Sequence, residues 1–142
     1  MPGTRKLGRT TAHRMLMLRG MVTYLLEHGE IKTTVTRAKE VRSLAEKMIT
    51  IAKTQKPNKL AAYRKALAFI PKEKVVEKLF ETIAPAYENK TSGFTAIYKM
   101  GPRRGDGAEM AIVRLIGMPV VDTKAAKKAP AKKVEAPALD QQ

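Results

Sequence analysis

The stretch FTAIYKMGPRRGDGAEMAIVRLI, residues 94–116, breaks with everything before it. FTAIYKM (94–100) and MAIVRLI (110–116) are rich in β-branched and aromatic residues, and neither carries a helical spacing of apolar positions. Each reads as a strand. GPRRGDGAE between them is rich in glycine and holds Arg103 and Arg104, the composition of a long hairpin loop with a basic tip. Upstream, EIKTTVT adds a weakly alternating, β-branched run that predicts a third short strand, Ile31 to Val35.

The rest of the chain has helical periodicity. Met15, Leu18, Val22, Leu25 and Leu26 form one apolar stripe, with Thr10 or Thr11 suited to cap its start and Gly29 its end. Thr36 is expected to cap a second helix, whose stripe is Val41, Leu44, Ala45, Met48, Ile49 and Ala52. Pro57 breaks it. Asn58 opens a third helix to about Phe69, with Leu60, Tyr63 and Leu67 expected inward. A fourth carries Val75, Val76, Leu79, Phe80 and Ile83 and is expected to stop before Pro85. The fold class is therefore α+β: four helices packed on a small, mostly antiparallel three-stranded sheet.

The charge is unusual. The 142 residues hold 28 Lys and Arg against 13 acids, a net charge of +15 and a pI near 10.2. The final stretch DTKAAKKAPAKKVEAPALDQQ contains five of the lysines and three of the acids. Residues 1–121 therefore keep 23 basic against 10 acidic groups, so the excess belongs to the folded body. We read residues 1–121 as one domain, with a basic arm over 1–13, and the Ala/Lys/Pro-rich tail 122–142 as disordered, since it has too few large apolar groups to offset its ordering entropy. A body this basic implies a polyanionic partner, nucleic acid first.

Three basic groups are candidates for contact with it. In RKLGRTTAHR (5–14), Arg5, Lys6, Arg9, Thr10, Thr11, His13 and Arg14 surround the start of the first helix, and no acid occurs before Glu27. Free N–H donors and positive charge there favour phosphate. The second group is the exposed side of the second helix, with Arg37, Lys39, Arg42, Lys47 and Lys53, and Lys32 just before it. The third is the hairpin tip, Lys99, Arg103 and Arg104. Aromatic residues make up only 5% of the chain, so stacking is not expected to be the main mode of contact, and phosphate and shape recognition are favoured.

Other chemistries find little support. The absence of Cys removes disulfides and thiolate metal sites and fits a reducing cytoplasm. No apolar run is long enough to span a membrane, and the N-terminus lacks the apolar core of a signal peptide. GDG lacks the spacing of a phosphate-cradling loop. NKT at Asn89 and RGD at 104–106 are chance matches. His13 and His28 lie at opposite ends of one helix, too far apart to share a metal. Asp106 and Glu109 are close in sequence but have no histidine or nucleophile with them. No enzyme, cofactor, metal or small-molecule substrate is expected. An RNA-modifying enzyme using those two carboxylates, and a free nucleic-acid-binding regulator, stay open as other classes.

With these residues in view, the chain resembles the bacterial large-subunit ribosomal protein seventeen family. The resemblance is carried by RKLGRTTAHR, MLRGMVTYLLEHGEIKTTVTRAKEVRSLAEKMITIAK, EKLFETIAPAY and SGFTAIYKMGPRRGDGAEMAIVRLI, in that order, from residue 3 to about 116. It implies a structural, non-catalytic protein of the cytoplasmic ribosome, bound to 23S ribosomal RNA on the outer face of the large subunit near the peptide exit side, with other ribosomal proteins as neighbours. Carried over by position, the RNA-facing residues are Arg5, Lys6, Arg9, Thr10, Thr11, His13 and Arg14, then Arg19, Lys32, Arg37, Lys39, Arg103 and Arg104. Ala96 stands where the family's pattern carries an arginine, so no contact is assigned there.

Overall fold

The computed structural model of the protein describes residues 5–54 and 58–119. Helix α1 spans Thr11–His28, strand β1 Glu30–Thr34, helix α2 Val35–Thr54 and helix α3 Lys59–Phe69. Helix α4 begins over Glu73–Lys78, widens to a π-helix over Leu79–Ile83 and closes with a turn over Ala84–Ala86. Strands β2, Thr95–Pro102, and β3, Glu109–Leu115, complete the domain.

The hairpin forms as its composition requires, and β3 takes the centre of the sheet, in the order β1-β3-β2. Both pairings are antiparallel, so the sheet is wholly rather than mostly so. Thr33 faces Ala111, and Ile97 faces Val113. A bulge between Lys99 and Gly101 leaves Met100 unpaired and sharpens the twist toward the tip.

One face of the sheet carries Thr33, Thr95, Ala111, Val113 and Leu115, all buried beneath the helices. Leu18, Val22, Leu25 and Leu26 of α1 meet Val41, Ala45, Met48 and Ile49 of α2 in that core. The α1 stripe follows the expected spacing, although Met15 at its start is only half-buried. Gly29 ends α1 at φ 85°, where a left-handed residue lets its N–H reach the Leu25 carbonyl at 2.8 Å. Tyr87 ties the fourth helix to the sheet: its buried hydroxyl donates to the Ile116 carbonyl at 2.7 Å. Burial pushes that phenol up to about 12.

Four expectations need correction. Val35 begins α2 rather than ending β1, which places Thr36 inside the first helical turn instead of at its cap. In α3 the buried residues are Ala62 and Ala66, while Leu60 is 61% exposed and Leu67 faces outward with it. Alanine allows a close helix approach, and Tyr63 and Phe69 supply the bulk at its edges. The fourth helix passes through Pro85 rather than stopping before it. A proline lacks the donor for the i−4 carbonyl and crowds it. The π-turn ahead of Pro85, in which Ala84 N–H bonds the Leu79 carbonyl, opens the helix at that point. Finally, Thr10 holds the N-cap position of α1 with extended backbone, but its hydroxyl makes no capping bond. The expected break at Pro57 and the tail 122–142 lie outside the described residues.

Candidate nucleic-acid interface

From Arg5 onward the arm is folded onto the body. Leu7 and Gly8 both have positive φ, 54° and 65°, and Arg9 N–H bonds the Lys6 carbonyl at 3.2 Å. These are the marks of a type I′ turn, with Lys6 and Arg9 at its two corners. Leucine is strained in this region of backbone space. Its half-buried side chain packs against the core and holds it there.

Two further contacts fix the arm. The Arg5 guanidinium donates to Glu40 of α2 at 2.9 Å. The Arg14 guanidinium donates to the Arg5 carbonyl at 3.1 Å. The Nε atoms of Arg9 and Arg14 are shielded from solvent and bond no acceptor among the described residues. Thr10, Thr11 and His13 are exposed at the start of α1, whose first turn contains no acid and no side-chain cap. Its N–H donors keep their positive end of the helix dipole.

Arg5–Glu40 sets the arm beside the second turn of α2. Arg37 lies one turn before Glu40 and Lys39 immediately before it in the chain. The hairpin tip is at the same end of the domain: Thr34, which leads into α2, pairs with Met110. A cleft of about 240 Å³ there is lined by Val35, Lys99, Gly101 and Glu109 among others. The arm and the hairpin, read separately from the sequence, thus each lie beside the first turns of α2.

At the tip, Arg103 is the loop's internal strut. Its guanidinium grips both oxygens of Asp106, and its backbone bonds Ala108 and Gly107. Arg103 and the Ala108 N–H hold the Asp106 carboxyl down to about 2. It is ionised at neutral pH and unsuited to act as a general base. Arg104 is exposed and unpaired among the described residues.

Two expected residues lie apart. Arg19 sits farther along α1, with its guanidinium 5.7 Å from the centre of the Phe69 ring. Lys32 projects from the sheet face opposite the helices. The far end of α2 is occupied internally: Lys53 donates to the Lys90 carbonyl and lies 5.0 Å from the Phe94 ring centre. Arg42 pairs with Glu46 at 3.3 Å. Sequence reading missed Glu40 as the arm's anchor and the Leu7–Gly8 turn. Leu-Gly carries no strong I′ signal, which is usually Asn-Gly or Asp-Gly. Among the described residues no group of three or more His, Cys, Asp or Glu is placed to hold a metal, and no helix is long and apolar enough to cross a membrane.

The arrangement defines an α+β domain with one strongly cationic end. The model of the family described as "Ribosomal protein L17" matches residues 17–116. The large ribosomal subunit protein bL17 of Clostridium acetobutylicum is 59% identical over 114 residues, 80% of this chain and 97% of the relative. That of Clostridium tetani is 58% identical over 116 residues, 82% of this chain and all of the relative. The chain belongs to the ribosomal protein L17 family. It is a non-enzymatic component of the translation machinery.

Proposed function

We propose that this chain is a structural protein of the large ribosomal subunit that binds folded 23S ribosomal RNA and stabilises it, among neighbouring ribosomal proteins. The observation that carries the reading is that Lys6, Arg9 and Arg14 on the arm, Arg37 and Lys39 on the first turns of α2 beside it, and Arg104 on the hairpin that reaches the start of α2 are in no ion pair among the described residues. Of the acids at this end, Glu40 and Asp106 are bonded to Arg5 and Arg103, and Glu109 lines the cleft beside Lys99. The shielded Nε donors of Arg9 and Arg14 support the same reading, since an unpaired buried donor is costly and a phosphate oxygen relieves it.

Recognition works by charge neutralisation and shape. The I′ turn presents Lys6 and Arg9 at fixed spacing, the open start of α1 adds backbone donors, and Arg37, Lys39 and Arg104 extend the contact to a neighbouring backbone. Each phosphate neutralised releases condensed counterions. With about 6–10 such contacts, affinity falls on the order of 10³- to 10⁵-fold between about 50 and 200 mM salt.

Sedimentation of a cell lysate at low and high salt, with this chain followed by mass spectrometry, tests the reading. Stoichiometric migration with the large subunit at both salt concentrations is expected. Migration at the top of the gradient would sink it and favour a free nucleic-acid-binding regulator.

A further inference from the structure

We propose that the open face of the sheet is a second RNA-contact surface, on which an unpaired nucleobase stacks against the ring of Tyr98. The inference builds on the RNA-binding function proposed above. Strand register places Lys32, Ile112 and Tyr98 in one row across β1, β3 and β2. Side chains alternate along a strand, so this row lies on the face opposite Thr33, Ala111 and Val113, which the helices bury. Tyr98 is 55% exposed and the bulged Met100 beside it 54%. Ile112 forms a half-buried apolar floor between Tyr98 and Lys32.

Tyr98 stands apart from the other tyrosines. Tyr24 pairs with His28, Tyr63 with Phe80 and Tyr87 with Phe94. Tyr98 has neither a ring partner nor a hydroxyl partner among the described residues. Its charge surroundings favour a nucleotide. Glu30, the one acid on this face among the described residues, is bonded to Arg114 at 2.8 Å, and Lys32 has no acidic partner among them. Neighbouring strands are about 4.8 Å apart, which puts Lys32 roughly 10 Å from Tyr98 across Ile112. A lysine side chain spans most of that distance and brings its ammonium to the phosphate of a base lying on the Tyr98 ring. Sheet faces that stack bases on aromatic side chains are an established means of holding single-stranded RNA.

The chain contains no tryptophan, so Tyr98→Trp installs a single selective fluorophore. The Tyr98→Trp protein is titrated with folded 23S ribosomal RNA, and binding is followed in parallel by filter retention. Quenching of the indole that saturates with retention is expected. Tyr98→Phe should retain full affinity, and Tyr98→Ala should weaken binding about 5- to 150-fold, the range for loss of one stacked base. Retention without quenching overturns the stacking proposal and leaves the RNA-binding function standing. A blue shift without quenching, seen only when other large-subunit proteins are added, assigns the face to a protein and also overturns it. Absence of retention defeats both.

Discussion

Arg5 of the arm and Glu40 of α2 are joined across 2.9 Å, and this pair decides where the arm lies. Glu40 is mostly shielded, with its side chain 13% exposed, while Arg5 is half-exposed. The same acid that seats the arm competes with phosphate for Arg5. Exposed pairs contribute about 0–1 kcal/mol. Glu40→Gln is therefore expected to change stability by no more than about 1 kcal/mol in urea unfolding. RNA affinity should rise at low salt, because Arg5 is released and one negative charge leaves the surface. A drop in affinity would show that the pair's positioning role outweighs its competition.

Arg9 and Lys53 separate contact cations from internally occupied ones. Arg9→Ala should weaken RNA binding and flatten the dependence of log affinity on log salt by about one. Lys53 already bonds the Lys90 carbonyl and lies against Phe94, so Lys53→Ala should leave that slope unchanged. Equal effects from both substitutions would remove the distinction between the two ends of α2.

The hairpin tip should soften in acid. Asp106 is held below its ordinary 3.8, to about 2, first by the Arg103 hydrogen bonds. Its folded value is the lower one, so its stabilising contribution is present above about 3.8 and lost as pH falls toward about 2. Amide exchange at Gly107 and Ala108 in the free protein, taken relative to the intrinsic rate at each pH, should accelerate across that window. In Asp106→Asn it should be fast already at neutral pH, with no step in the window.

An opposite pH dependence belongs to Tyr87. Burial raises its phenol from 10.0 to about 12 in the fold. The neutral form is favoured, so its contribution is complete below about 10 and declines as pH rises toward about 12. Tyr87→Phe should flatten this alkaline loss in denaturant titrations. It should also cost about 1–3 kcal/mol at neutral pH, because the Ile116 carbonyl loses its donor.

Helix α3 offers a direct test of its corrected orientation. Leu60→Gln should fall within about 0.5 kcal/mol of the parent, as for an ordinary surface change. Ala62→Leu should destabilise by about 1–3 kcal/mol, since its site is fully buried. The reverse ranking would restore the leucine face as the packed one.

The error at α3 shows what local reading omits. Apolar periodicity says that one face is buried, but Leu60 and Leu67 on one side and Ala62 and Ala66 on the other both satisfy a helical repeat. The choice depends on how near the neighbouring helices come, which is not a local property. Pro85 is similar: its stop signal is sound chemistry, and a widened turn upstream accommodates the ring.

What the sequence determined by itself is the part that rests on near neighbours in the chain. The period change at 94–116, the Gly29 cap, the α1 stripe and the excess of positive charge are all short-range chemistry, and they suffice for α+β class and a cationic surface. Tertiary structure alone decided which cations share a surface. Arg5 meets Glu40 thirty-five residues away, the arm meets α2, and Arg103 pairs with Asp106 on the surface of the loop while Arg104 has no partner among the described residues. Charge acts through space and is neutralised by whichever acid the fold brings within about 3 Å. Only the folded chain distinguishes a cation available to RNA from one already engaged.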